Sequence, residues 1–283
     1  MRRLRYVVAD VFTDTALAGN QLAVFTDGRD LDPLTMQALA REMAFSETVF
    51  VLPPSNADAD VRIRIFTPSS ELPFAGHPTL GTAFVLGGPL QKVVLRIETG
   101  GGVVPVELER EGPAIVFGRM EQPIPEWEPF ALANEVVALL GIERPELQVE
   151  RYLLGPTHAF YELRAPDEVA ALAPDFTALG RLVGHTGVNC FARDGRRWKT
   201  RMFGPADGVA EDPATGSAAG PLAIHLARHA RIAFGEEIEI SQGAEIGRPS
   251  TLYARVDGSP ERIERVEVGG SAVVVARGEF SIP

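Results

Sequence analysis

The chain has 283 residues, 45% of them hydrophobic and 23% charged, with a formal net charge of −11, a balance that suits one large globular domain or two of ordinary size. Acidic overall and without a run of clustered Lys and Arg, it is no partner for a phosphate backbone, which excludes nucleic acid. The one cysteine, Cys190, excludes an internal disulfide and is expected as a buried small hydrophobe. No stretch nears the roughly 20 apolar residues that cross a bilayer, and the short apolar run after Arg3 meets Asp10 too soon for a signal core. A cytoplasmic protein is the expectation.

Arg5 to Phe12 has the composition of a strand, and a turn at Ala18-Gly19-Asn20 leads to a second, Leu22–Phe25. Asp32-Pro33 supplies an N-cap and a first-turn proline for an amphipathic helix in which Met36, Leu39, Ala40 and Met43 share a face. Ser46 to Leu52 enters another strand with Glu47 at its mouth, and Val61, Ile63 and Ile65 alternate with Arg62 and Arg64 in a half-exposed one. A helix over Thr79–Leu86, a hairpin around Gly100-Gly101-Gly102 and a strand at Ala114–Gly118 follow.

Gln122 to Pro129 is Pro-rich and is expected as a linker, dividing the chain into 1–121, 122–129 and 130–283, with the last strand free to cross back to the first half. Beyond it come helical patterns at Ala131–Leu140, Asp167–Leu172, Asp175–Val183 and Gly220–His229. They are interspersed with many short strands, four of them closing the chain from Ile238 to Ala276. The basic cluster Arg193–Arg201 is expected as a solvated hairpin. Strands outnumber helices and the helices sit singly among them, which favours an α+β fold over a doubly wound parallel sheet.

One frame occurs twice. Arg64-Ile65-Phe66-Thr67-Pro68 precedes Glu71-Leu72-Pro73-Phe74-Ala75-Gly76-His77-Pro78, and Arg201-Met202-Phe203-Gly204-Pro205 precedes Glu211-Asp212-Pro213-Ala214-Thr215-Gly216-Ser217. Each copy runs strand, Gly turn, helix start. Gly76 and Gly216 at helix entrances let a ligand approach backbone N–H groups that lack intrahelical acceptors, at the positive end of the dipole. Two such turns facing each other across one cleft would clamp an anion, with His77 and Ser217 at matched positions and Asp212 beside them; two ordinary helix entries are the simpler alternative.

Glu47, flanked by Ser46 and Thr48 and backed by Val49-Phe50-Val51, is the candidate proton shuttle, because desolvation at an apolar strand mouth raises a carboxylate's pKa toward usefulness. A solvated loop glutamate is the competing reading. His77 would share its proton or bind a substrate polar group, or else satisfy a backbone carbonyl. Asp212 would bind a substrate amine or hydroxyl, or else cap its own turn. His225 and His229 share a helix face, but no Glu follows the first and Arg228 repels a cation, so no metal is expected. No nucleotide, flavin or pyridoxal signature is present, so no cofactor is expected and side chains are left to do the chemistry.

Together with Gly19-Asn20, Met36-Gln37, Arg41-Glu42, Ser46-Glu47-Thr48, Gln242-Gly243 and Gly247-Arg248-Pro249-Ser250, the two Gly turns resemble the PhzF family of phenazine biosynthesis over essentially the whole chain. The resemblance implies a diaminopimelate-epimerase-like fold of two similar domains related by a pseudo-twofold, each a curled, barrel-like mixed sheet around a central helix, with the active site between them. It implies a cofactor-free isomerase acting on trans-2,3-dihydro-3-hydroxyanthranilate, with Glu47 removing a proton from C3 and returning one to C1. His77, Asp212 and Ser217 would hold this small carboxylate with Ser46, Gly76 and Gly216, and a homodimer is implied. Alternatives are a PhzF-like isomerase or epimerase of another small cyclic amino or hydroxy acid, or a non-catalytic binder on the same scaffold. Paired-cysteine epimerisation is disfavoured, since Ala75 and Thr215 stand where such relatives carry thiols. Two residues depart from the family pattern: Gln21 replaces the usual Pro, and Ala44 replaces a frequent Asn close to Glu47.

Overall fold

The computed structural model describes residues 2–282, as a mixed, sheet-rich α+β fold with few helices. The chain divides into two compact units, Met1–Glu121 with Gly269–Pro283, and Gln122–Val268. No helix among the described residues is long and apolar enough to cross a membrane.

The first unit runs β1 (Arg2–Val11), β2 (Asn20–Phe25), α1 (Pro33–Met43), β3 (Glu47–Leu52), β4 (Val61–Phe66), β5 (Glu71–Leu72), α2 (Gly76–Leu90), β6 (Val94–Thr99), β7 (Gly102–Glu111) and β8 (Ala114–Gln122). β1 pairs antiparallel with β2, β2 parallel with β3, β3 antiparallel with β4, and β4 antiparallel with β5 but parallel with β6, which turns back into β7. The chain's last strand, Ala272–Ile282, lies antiparallel on the other side of β1.

The second unit runs β9 (Glu126–Pro129), α3 (Ala133–Leu140), β10 (Glu150–Leu153), β11 (Thr157–Glu162), α4 (Pro166–Ala170), α5 (Phe176–Val183), β12 (Thr186–Asp194), β13 (Arg197–Gly204), β14 (Val209–Asp212), α6 (Gly216–Arg228), β15 (Glu237–Gln242), β16 (Ser250–Gly258) and β17 (Ile263–Gly270), ahead of the last strand, β18. From β10 to β16 the pairings repeat those of β1 to β7 step for step: antiparallel, parallel, antiparallel, then β13 antiparallel with β14 and parallel with β15. β9 pairs with β10 as β18 pairs with β1. The duplication read from one motif therefore extends through the connectivity of each unit.

The segment expected as a linker is partly strand. Trp127 of β9 faces Tyr152 across the pair and stacks on it at 6.0 Å, so the proline-rich composition marks an edge strand rather than a free connection. The basic hairpin is only partly solvated, since Trp198 and Arg201 are buried. Both Gly-turn helices also begin earlier than expected, at the glycine itself. Pro78 lies in the first turn of α2, where a missing N–H costs nothing. Pro221 lies inside α6, where it has no N–H to donate to the Ser217 carbonyl.

α2 and α6 are buried along nearly their whole length, which explains their uniformly small and apolar sequences. α1 instead buries one stripe, Met36, Leu39 and Ala40, against Phe25, Phe50 and Phe66. Asp32 caps it by accepting from the N–H groups of Leu34 and Thr35. The repeated Arg and Glu also have a structural role. Arg64 donates two bonds to Glu71 at 2.7 and 2.6 Å, and Arg201 two to Glu211 at 2.8 and 2.7 Å, closing the β4–β5 and β13–β14 turns. Each guanidinium also lies over the Phe two residues on, Phe66 or Phe203.

Candidate active site

In the first unit, the β1–β2 turn brings Asn20 to its place. Gly19 sits at φ +67°, and a side chain there would begin 2.4 Å from the Val11 carbonyl oxygen, so only glycine makes this turn. Asn20 and His77 are both buried, and the Asn20 Nδ2 lies 3.4 Å from His77 Nδ1. Glu47 opens β3 opposite Leu22, and its Oε2 lies 3.4 Å from the same ring nitrogen. Its side chain keeps 16% of its surface exposed, though Oε2, the oxygen that faces His77, is buried, as is the imidazole behind it. Burial holds His77 down to about pKa 3, the Gln21 backbone pulling weakly the other way, so the ring is neutral at physiological pH. Ser46 is half-buried beside Glu47. Gly76 is the first residue of α2, whose N-cap, Ala75, offers no side-chain cap, so the first N–H groups keep no side-chain acceptor from that residue.

In the second unit, Asp212 accepts the Thr215 hydroxyl at 2.7 Å, the turn-capping role that was one of its two readings. Gln242 reinforces the turn. Its Nε2 donates to Asp212 O and Thr215 Oγ1 at 2.8 and 2.9 Å, and its Oε1 accepts the Thr215 N–H at 3.2 Å. Gly216 and Ser217 open α6, and Ser217 Oγ lies 3.0 Å from His158 Nε2. His158 is buried on β11, which pushes its pKa down to about 4. Both helices thus carry a buried imidazole at their second residue or bonded to it: His77 itself in α2, His158 on Ser217 in α6. Sequence reasoning missed His158 and Asn189, whose one signal was a polar residue inside each of two otherwise apolar strands.

His225 and His229 meet a carboxylate that the sequence did not point to, Glu150 of β10, and the three offer ligand atoms within 4.8 Å of one another. Arg228 already supplies the positive charge, donating to Glu150 Oε2 at 2.6 Å while its guanidinium lies 4.5 Å from the Trp127 ring centroid. Burial raises the Glu150 pKa, but hydrogen bonds from His225 and Arg228 outweigh it and hold the carboxyl well below its usual range. The group reads as a structural ion-pair network joining β10 to α6.

On a mixed α+β scaffold, the first unit thus sets a partly exposed glutamate against a neutral buried histidine. The family model for phenazine biosynthesis-like proteins, PhzC-PhzF, matches residues 9–278, and the chain belongs to this family. It is 53% identical to the trans-2,3-dihydro-3-hydroxyanthranilate isomerase of Pseudomonas aeruginosa, over 97% of this chain and 98% of that one. It is 50% identical to the protein of the same name from Pseudomonas fluorescens, over 96% and 98%. The crystal structure of a Bacillus anthracis phenazine biosynthesis protein of the PhzF family superposes with a TM-score of 0.85 at 26% identity, covering 100% of both chains.

Proposed function

We propose that this chain is a cofactor-free isomerase of trans-2,3-dihydro-3-hydroxyanthranilate in phenazine biosynthesis, in which Glu47 takes a proton from C3 and returns one to C1. The observation that carries the proposal is whole-length identity of 50–53% to relatives of that name, together with a carboxylate in this chain suited to the step. Because the proton removed is matched by one delivered, Glu47 starts and ends each turnover ionised. A neutral ring protonated at Nδ1 donates to the ionised carboxylate in which Glu47 begins and ends each turnover. The 3.4 Å separation is long for a hydrogen bond.

Ser217, with the N–H groups at Gly216 and the start of α6, is assigned to the substrate carboxylate, as an anion at a helix N-terminus requires. Asp212, Ser46 and Gly76 complete the assignment to substrate binding. The shared order of strand pairing in the two units supports a duplicated, pseudo-twofold scaffold with a central helix in each half.

Incubation with trans-2,3-dihydro-3-hydroxyanthranilate in D₂O, followed by proton NMR, tests the reading. Substrate loss with a proton or deuteron appearing at C1, abolished in Glu47→Gln, is expected. Intact substrate with folded wild-type protein would overturn the substrate, and near-normal turnover in Glu47→Gln would overturn the role of the glutamate.

A further inference from the structure

We infer that His158 is a positioning residue whose tautomer fixes the direction of the Ser217 hydroxyl, leaving that hydroxyl's proton free to bond a substrate carboxylate. The inference deepens the isomerase reading and rests on it for the identity of the anion. It starts from Asn189 of β12. Its Nδ2 lies 3.2 Å from Gly187 O, 3.4 Å from Ala159 O and 3.3 Å from His158 Nδ1. An amide turned the other way would set its oxygen against two carbonyl oxygens, so the nitrogen end faces the ring.

His158 Nδ1 is therefore an acceptor. Burial keeps the imidazole neutral, with its pKa near 4, so its one ring proton is on Nε2, and Nε2 donates to Ser217 Oγ at 3.0 Å. A hydroxyl that accepts this bond must send its own proton elsewhere. His158 is the only hydrogen-bond partner of the Ser217 side chain among the described residues. The oxygen sits at the second position of a 13-residue helix, beside N–H groups that have no intrahelical acceptor. Hydroxyl and amides thus present donors together, which is the requirement of a carboxylate.

The space for the ring is also built in. Gly187 lies opposite His158 in the parallel β11–β12 pair, and a Cβ there would come within 2.8 Å of His158 Nδ1. β12 thus leaves out a side chain where the imidazole must fit, and the same glycine's carbonyl fixes Asn189.

Two measurements decide the matter. Ring ¹⁵N shifts of His158 in the wild-type protein are expected to show a neutral Nε2–H tautomer that does not titrate between pH 8 and pH 5; an Nδ1–H tautomer or titration in that range overturns the inference, whatever the substrate. Steady-state kinetics on trans-2,3-dihydro-3-hydroxyanthranilate then read the function. His158→Phe, which keeps the ring shape and removes the donor, is expected to raise KM about 10- to 100-fold, as loss of one bond to a charged group does, with kcat within about threefold. His158→Gln, which can donate from the same place, recovers most of the loss. In a Ser217→Ala background His158→Phe adds little. A fall in kcat with KM unchanged, equal damage from Gln and Phe, or additivity with Ser217→Ala overturns the positioning role. An inactive wild type sinks the isomerase reading, and the ¹⁵N result then decides the tautomer by itself.

Discussion

Glu47 and His77 meet through one ring nitrogen, with Glu47 Oε2 and Asn20 Nδ2 each 3.4 Å from His77 Nδ1. Burial keeps the ring neutral, so it lies against Glu47 without contributing charge. Residues acting through one proton are not additive. Glu47→Gln is expected to lower kcat by about 10²- to 10⁴-fold. His77→Asn should lower it by roughly ten- to a hundredfold, and the double variant should be no worse than Glu47→Gln alone. Multiplicative losses, measured from initial rates of substrate consumption, would show that the two residues act independently.

His77 and His158 also make stability depend on pH. The unfolded chain protonates each imidazole near its ordinary pKa of 6.5, whereas the folded chain holds them neutral down to about 3 and about 4. The unfolded state therefore binds more protons across this window, so stability is full above pH 6.5 and is lost as pH falls toward the folded values. Near pH 5 the two together give a slope of about 2–3 kcal/mol per pH unit. Urea midpoints at pH 7, 6 and 5 should fall accordingly, and His158→Gln should remove about half of the slope. A midpoint that stays level from pH 7 to pH 5 contradicts the burial of both rings as neutral species.

The Gly turns and the α+β class were legible in the sequence because each is local: a glycine at a helix entrance, strands of alternating pattern. What escaped was set by register between distant strands. His158 acquires its place from the parallel pairing that puts it opposite Gly187, and Glu150 reaches His225 and His229 only because β10 lies beside the end of α6. The proline-rich segment misled because its composition fits both a linker and an edge strand, and Trp127 facing Tyr152 decides between them.

Ala44, noted in the sequence as a departure from a frequent Asn, closes α1 at φ +53° and ψ +27°, donating its N–H to Ala40 O. This is the left-handed conformation that costs most residues with a Cβ about 1–2 kcal/mol and that Gly and Asn adopt readily. An Asn at this position would thus have a backbone reason, separate from any polar contact with Glu47. Ala44 is exposed, so Ala44→Gly removes strain without opening a cavity. After subtracting the added freedom of the unfolded chain, it is expected to stabilise by about 0.5–1 kcal/mol in urea unfolding at pH 7. Ala44→Val should destabilise, and the reverse order would refute the conformational account.

The two copies of the Arg–Glu staple differ in depth, and that difference sets opposite expectations for one substitution. Arg64 and Glu71 keep 20% and 42% of their side-chain surfaces, whereas Arg201 and Glu211 keep 7% and 5%. Arg201 also donates to the carbonyls of Val169, Ala170 and Leu172, fixing the end of α4. Arg64→Met removes a screened pair and should cost about 0–1 kcal/mol. Arg201→Met leaves a buried carboxylate and the carbonyls of Ala170 and Leu172 unpaired, while Val169 O keeps the Leu172 N–H, and should cost about 3–5 kcal/mol, a fall in Tm of roughly 10 °C for a chain of this size. Adding Glu211→Leu to Arg201→Met should restore part of the loss, because the stranded charge goes while the carbonyls remain without donors. Equal Tm losses for the two arginine variants would mean that the staples act through the turn geometry they share, and that burial of the second pair contributes nothing.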